Sequence, residues 1–408
     1  MLQKNEIVLL LFSISIMLTL SRIVAEVGKK YHLPIVIGEI LVGVILGPTV
    51  LGMIKPDWFE LIFPPAGSVR IALDGITTLS VIMLLFVAGL EVQLPVVLEQ
   101  GKLAFYTSVS SMIVPFATGF GVAWYFPEIF NLEDNSYHLL FSLFLGTALA
   151  ISALPVIART LMDLNIYKTK VGMIIMASAM FNDLAGWLMF SIILSKIENQ
   201  DGRIKLWMSI VFTLLFGILM LTLIRKVINR VLPWIQTNFS WPGGVLAISF
   251  GLCFMSAAFT EYIGLHAILG AFLFGIALGD SVHMHERTRE IIHQFVTNIF
   301  APLFFVSIGL RVNFISNFDL TIVLVILVLA YAGKLIGASF GAWFGGMKSR
   351  EAFAVGAGLN ARGAMEIILG TLALSAGVIT TPIFVALVVM ALVTSLSSGI
   401  MMKAFLRP

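Results

Sequence analysis

LPIVIGEILVGVILGPTV, residues 33–50, aligns without a gap on LHAILGAFLFGIALGDSV, residues 265–282. Leu33 matches Leu265, Gly38 matches Gly270, Leu41 matches Leu273, Gly43 matches Gly275, Leu46 matches Leu278, Gly47 matches Gly279 and Val50 matches Val282. The apolar run that follows each segment repeats as well. LFVAGLEVQL (85–94) parallels FFVSIGLRVNF (304–314), with a shared GLxV core at Gly89 and Gly309. One such pair is within reach of chance among glycine-rich helices, whereas two consecutive pairs in the same order indicate a duplicated architecture.

The duplication lies in a chain of 408 residues that is 59% hydrophobic and 12% charged, with a mean hydropathy of +1.02. That balance places most of the chain in lipid rather than in water. Apolar runs of roughly 20 residues, enough to cross a ~30 Å hydrocarbon core, recur from end to end. About thirteen are expected, the first at 6–25 and the last at 379–402. They are too long and continuous for barrel strands, so the expectation is an all-α polytopic membrane protein. The first run has no small-residue cleavage site and reads as a retained helix. No soluble domain is left over. Cys253 is the only cysteine; it forms no internal disulfide and reads as a core thiol. The net charge of +3 reflects topology signals rather than a nucleic-acid surface. The basic clusters Lys29-Lys30, Lys168 with Lys170, Arg225-Lys226, Arg287 with Arg289, and Lys348 with Arg350 fall on one side if the N-terminus is outside. The positive-inside rule then gives N-out and C-in, in keeping with an odd number of spans.

If the seventh span is a linker, six helices precede it and six follow, and the second half enters the membrane from the opposite face. Inverted-topology repeats of this kind belong to secondary transporters, which bind substrate near the midplane at discontinuous helices. The fifth and twelfth spans are expected to supply two crossed breaks. In GTALAISALPVIART (146–160), Pro155 removes an amide and frees carbonyls near Ile151. In VGAGLNARGAMEII (355–368), Gly356, Gly358 and Gly363 weaken the helix around Asn360 and Arg362.

Ionisable residues at membrane depth are functional candidates. Asp183, in FNDLAG (181–186), has mostly apolar residues on both sides. A carboxylate that holds either a proton or a small cation, but not both, is the minimal device for exchanging one for the other. Hard monovalent ions take oxygen ligands, and Asn182, Thr147 and Ser152 could complete the shell with Asp183 as the metal ligand. Lys334, at mid-depth in the eleventh span, reads as the basic partner of Asp183. Arg362 and Glu366 are four apart and can pair on one helical face; with Pro155 and Asn360 they read as support for the broken helix. Glu91 and Arg311 occupy equivalent repeat positions at helix ends and read as anchors, while Glu39 could face a core, a funnel or a dimer contact. His283 and His285 read as solvated loop residues. The glycine ladders Gly38, Gly43, Gly47 and Gly270, Gly275, Gly279 could join two protomers as a homodimer or pack within one.

The set ALPVIART (153–160), FNDLAG (181–186), GKLIG (333–337) and GLNARGAMEIIL (358–369), in this order, resembles the monovalent cation:proton antiporters of the Na+/H+ exchanger-domain family, in particular its Kef-type and plant cation/H+ exchanger branch. The resemblance covers essentially the whole chain. It implies a thirteen-helix fold in which dimerisation helices (1–100 and 236–315) and ion-carrying core helices (101–200 and 316–408) alternate around a linker helix (201–235). It also implies that Asp183 is the shared cation and proton site, with Asn182 beside it and Lys334 as basic partner, and that the core moves against the dimer domain. The expected activity is secondary antiport of Na+ or K+ for H+ by alternating access, with no cofactor and no enzymatic chemistry, in a multi-pass bacterial plasma membrane protein. Its substrates are the cation and the proton, and its surroundings the lipid bilayer, with no nucleic acid. Electrogenic relatives carry two aspartates where this chain has Asn182-Asp183, which points to electroneutral exchange. Many relatives with an Asn-Asp pair use Arg where this chain has Lys334. Kef-type systems add a nucleotide-binding domain, and no dinucleotide fingerprint occurs in these 408 residues. The alternatives are a cation channel, which would need a continuous pore, and a polytopic membrane enzyme, which would need a catalytic set that these spans lack.

Overall fold

The computed structural model describes residues 3–30, 35–92, 101–131, 138–164, 166–167, 169–198 and 206–406. Leu33 and Lys168 lie outside these residues, as do the side chains of Lys29 and Pro155. Every regular element among the described residues is helical. In chain order the first are α1 (Lys4–Lys30), α2 (Ile35–Leu46), α3 (Ser68–Glu91), α4 (Gly101–Tyr125), α5 (His138–Ala150), α6 (Leu154–Asp163), α7 (Lys170–Glu198) and α8 (Leu206–Leu219). They are followed by α9 (Arg225–Asn238), α10 (Gly243–Tyr262), α11 (Ala267–Gly279), α12 (Glu286–Phe295), α13 (Ala301–Arg311), α14 (Leu320–Phe344), α15 (Ser349–Leu359), α16 (Ala364–Ser375) and α17 (Thr381–Leu406). Single π turns join α8 to α9 and α12 to α13. Ten helical stretches are long and apolar enough to cross a membrane, and α5, α11 and most of α16 are shorter apolar helices. The protein is therefore a multi-pass membrane protein. At 1.5 Å per residue the 13 residues of α5 reach only about 20 Å, short of a ~30 Å core.

Two of the apolar runs are interrupted. The fifth run, which contains GTALAISALPVIART, stops at Ala150 and restarts at Leu154, with Pro155 in the first turn of α6. A proline there needs no N–H partner and brings the helical φ with it, so it starts α6 as effectively as it stops α5. The twelfth run, which contains VGAGLNARGAMEII, stops at Leu359 and restarts at Ala364, with Gly356 and Gly358 in the last turn before the break and Gly363 at its far end.

The chain divides into two compact units, 1–93 with 204–317 and 94–203 with 318–408. In the first, the repeat glycines make reciprocal contacts. A Cβ on Gly43 would lie 2.2 Å from Val306 O, and one on its repeat counterpart Gly275 would lie 2.3 Å from Phe86 O, the counterpart of Val306. Gly89 and Gly309 complete the two crossings, α3 on α11 and α2 on α13, with backbone atoms of Phe272 and Gly43 at 2.2 Å. Gly38, Gly47, Gly270 and Gly279 likewise face backbone of the same unit. The ladders offered above as a dimer contact are thus spent inside the protomer, because helices this close leave no room for a side chain. Glu91 and Arg311 take different partners, Glu91 Oε1 lying 3.1 Å from His293 Nε2 and Arg311 Nη2 lying 2.5 Å from Asp74 Oδ1. Glu39 is buried on α2, and its Oε2 has no partner among the described residues.

In the second unit, α14 carries glycines at every fourth position, and they seat α4. A Cβ on Gly333 would lie 2.8 Å from Pro115 Cα, on Gly337 2.7 Å from Ser110 O, and on Gly341 2.5 Å from Tyr106 O. Ser110 Oγ reinforces the crossing by donating to Gly337 O at 2.7 Å. This close approach brings the face of α14 that carries Lys334 against its neighbours.

Overpacking a core costs about 1–3 kcal/mol, and a clash with backbone is less readily relieved than one with a side chain. Gly43→Val and its repeat equivalent Gly275→Val are therefore expected to lower the thermal unfolding midpoint, followed by fluorescence-detected size exclusion, by similar amounts. Gly75→Ala and Gly121→Ala, where nothing lies within 4 Å, are the controls expected to leave it unchanged.

Candidate functional site

A helix that ends inside lipid leaves carbonyls without partners, and those partners must come from the protein. The last carbonyls of α5 are bonded by two cations. Arg362 Nη2 donates to Leu149 O at 2.7 Å, and Lys334 Nζ donates to Ala150 O at 2.5 Å. Both are fully buried, and each sits where the negative end of the α5 dipole favours positive charge. The opposite polarity is met at the start of α16, where Gly363 N donates to Glu366 Oε2 at 2.7 Å, a carboxylate at the positive end of that helix. The two interruptions are also bonded to one another: Ala153 N donates to Ala361 O at 2.9 Å, and Ser152 Oγ donates to Leu359 O at 2.8 Å. Gly363 permits the approach, since a Cβ there would lie 3.0 Å from Val156 Cγ2. Arg362 Nη1 donates to Asn360 Oδ1 at 2.8 Å, and Ser395 Oγ of α17 donates to Arg362 O.

Asp183 and Asn182 come from the middle of α7 and are buried. Gly186, one turn beyond Asp183 and on the same face, meets the α5 interruption: a Cβ there would lie 2.3 Å from Ile151 Cγ1. The spacing of FNDLAG therefore places Asp183 on the face of α7 that packs on the broken segment. The charges that act on Lys334 are those of Arg362, Glu366 and Asp183. Two buried cations thus stand with two buried carboxylates. The Asn182 amide satisfies its surroundings in one orientation, with Nδ2 donating to Ser108 O (3.2 Å) and Oδ1 accepting from Ser111 Oγ (2.9 Å) and Lys334 Nζ (3.1 Å).

All the site residues expected from the sequence belong to the one unit of 94–203 and 318–408. Thr147 is buried one turn before the end of α5, its hydroxyl donating to Leu143 O at 2.8 Å. Lys334 is bonded to Ala150 O and Asn182 Oδ1 and lies within electrostatic reach of Asp183. Arg362 and Glu366 each bond at a helix end, Arg362 at the end of α5 and Glu366 at the start of α16. Ser108, Ser111 and Ser395 were missed. Serines are common in membrane helices and often bond within their own turn, as Ser108 Oγ does to Ala104 O at 2.6 Å, so nothing in the sequence separates them from packing residues. Ser178, one turn before Asn182, is buried with Oγ unpartnered among the described residues.

Removing one member of a buried charged network costs about 3–5 kcal/mol. Arg362→Leu, which strands Leu149 O and Asn360 Oδ1, is expected to lower folded yield and unfolding midpoint strongly, whereas Glu366→Gln, which keeps an acceptor for Gly363 N–H, is expected to lower them less. Equal losses would show that the cap at Gly363 depends on charge rather than on the hydrogen bond. The measurement is again the thermal midpoint of detergent-purified variants.

The family described as sodium/hydrogen exchanger, transmembrane, matches residues 13–407. The Na(+)/H(+) antiporter NhaS4 of Synechocystis is 28% identical over 99% of both chains. Cation/H(+) antiporter 20 of Arabidopsis thaliana is 30% identical over 98% of this chain and 49% of its own length, so the chain spans about half of that relative. The solved sodium proton antiporter MjNhaP1 of Methanocaldococcus jannaschii superposes with a TM-score of 0.64 over 98% of this chain and 97% of that one. At 17% identity this last likeness bears on the fold.

Proposed function

The chain belongs to the sodium/hydrogen exchanger transmembrane family, and on that premise we propose that it is a secondary antiporter that exchanges a monovalent cation, Na+ or K+, for H+ by alternating access, with Asp183 as the shared site. The observation that carries this reading is Asp183 itself. It is buried at mid-helix, shares a face of α7 with Gly186, which packs on the α5 interruption, and lies within electrostatic reach of Lys334. Glu366, the other buried carboxylate among the described residues of the same unit, is committed to the start of α16. The names of the relatives, sodium/proton and cation/proton antiporters, agree in reaction type.

In this mechanism the Asp183 carboxylate takes either a cation or a proton. Asn182, Thr147 and Ser152 contribute oxygens to the cation, and Ser178 Oγ is a further candidate. The hydroxyls of Thr147 and Ser152 send their hydrogens to backbone carbonyls, which leaves oxygen lone pairs for an ion. Asp183 with one monovalent cation and Asp183 with one proton carry the same charge, so exchange at this carboxylate alone is one for one and electroneutral. The reading keeps the proton on Lys334 through the cycle, and the bonds of Nζ to Ala150 O and Asn182 Oδ1, made without Asp183, support it. The proposal includes thirteen crossings in an inverted repeat with the N-terminus outside, residues 94–203 and 318–408 as the ion-carrying body, a homodimer formed through a surface other than the glycine ladders, and residence in a bacterial plasma membrane.

Proteoliposomes containing a pH-sensitive dye are expected to alkalinise when Na+ or K+ is added, with Li+ and Rb+ marking selectivity. Asp183→Asn is expected to abolish the signal while keeping the wild-type elution profile; substantial residual exchange would remove Asp183 from the mechanism.

With the membrane potential set by valinomycin and a K+ gradient, the rate of Na+-driven proton movement is expected to be independent of voltage. A voltage-dependent rate, or a sustained current on a solid-supported membrane, would show that Lys334 loses its proton during transport.

A further inference from the structure

In the unit of residues 1–93 and 204–317, a cavity of about 360 Å3 opens where α3 begins and α13 ends. Its mouth carries three charged groups. Asp74 Oδ2 accepts from Arg70 Nε at 3.1 Å, and Asp74 Oδ1 accepts from Arg311 Nη2 at 2.5 Å. One carboxylate thus serves two guanidiniums, which leaves a formal charge of +1. All three side chains remain accessible, at 28–44% exposure. Arg70 lies at the start of one candidate membrane span and Arg311 at the end of another, so both guanidiniums stand at headgroup level. Below them the lining changes character. Leu73, Ile76, Leu303 and Leu310 line the cavity with Phe59 and Phe63, and the hydroxyls of Thr77 and Ser307, also in the lining, donate to backbone carbonyls of their own helices, Leu73 O and Phe304 O. From Arg70 to Thr77 the cavity follows α3 for about 10 Å into the hydrocarbon zone.

The polarity of the site, cationic at headgroup level and apolar beneath, is that of a phospholipid in reverse. A soluble anion would satisfy the mouth and leave the wall unused, and a zwitterionic lipid would leave the net positive charge uncompensated. We propose that this cavity binds one anionic phospholipid, its phosphate held by Arg70 and Arg311 and one acyl chain lying against Leu73, Ile76, Leu303 and Leu310. Asp74 sets the selectivity by cancelling one of the two positive charges, which matches the site to a single negative charge.

The test is native mass spectrometry of the detergent-purified full chain titrated with phosphatidylglycerol, with phosphatidylcholine, or with inorganic phosphate. One phosphatidylglycerol is expected to bind ahead of the bulk lipid. Loss of one charge-assisted contact in Arg70→Gln or Arg311→Gln is expected to weaken it by about tenfold. Asp74→Asn, which raises the local charge, is expected to bind it at least as tightly as the wild type, the direction opposite to the arginine variants. If an arginine variant does not fold, Leu73→Trp narrows the apolar wall with all three charged groups intact and is expected to lose the bound lipid. Equal affinity for phosphatidylcholine, unchanged binding in the arginine and Leu73 variants, or displacement of the lipid by inorganic phosphate would overturn the proposal.

Discussion

The negative end of a helix stopped inside the membrane is the constraint on which the rest of residues 94–203 and 318–408 depends. The carbonyls of Leu149 and Ala150 cannot turn to water, and leaving either unpaired costs several kcal/mol. Arg362 reaches Leu149 O from the segment before α16, and Lys334 reaches Ala150 O from α14. Each contributes a charge-assisted bond to a carbonyl that already carries partial negative charge. These cations in turn need compensation, which Glu366 and Asp183 supply. Glu366 does so while capping a second helix end, and Asp183 does so from α7. The interruption of one helix therefore determines the placement of four buried charges, and an acid at mid-membrane depth is a consequence of how the break is stabilised as much as a separate feature added to it.

Two kinds of close approach keep this arrangement in register. In the unit that holds the charges, Gly333, Gly337 and Gly341 seat α14 on α4, and Gly186 seats α7 on Ile151. In the other unit, glycines at equivalent repeat positions seat α2 on α13 and α3 on α11. Lipid tails are as apolar as leucine, so burial of apolar surface supplies little net attraction between membrane helices, and contact distance becomes the main source of packing energy. Glycine maximises it.

What could be read in the sequence were the features whose cause is local. Pro155 marks a helix start and the end of the helix before it. Gly356, Gly358 and Gly363 mark a weak stretch, and Asp183 is conspicuous because its surroundings are apolar. The partners were not legible. Lys334 and Ala150 are 184 residues apart, and Ser152 and Leu359 are 207 apart, so only the tertiary register decides that a lysine meets a carbonyl as well as facing an aspartate. The glycine ladders illustrate the same limit. A glycine states that something comes close without stating what, and Gly43 and Gly275 meet helices of their own chain rather than a second protomer. Ser108 and Ser111 were hidden by being ordinary.

The reciprocal crossings also constrain the order of assembly. Gly43 meets Val306 and Gly89 meets Phe272, so the helices of the first half have their partners in the second. At synthesis rates of about 5–20 residues per second, the surfaces around Gly43 and Gly89 wait on the order of ten seconds to a minute in the bilayer before α11 and α13 exist. During that interval α2 and α3 are inserted but incomplete, with glycine grooves open to lipid. The final packing of this unit is therefore a late event, set by the arrival of its C-terminal helices and not by the folding of its N-terminal ones.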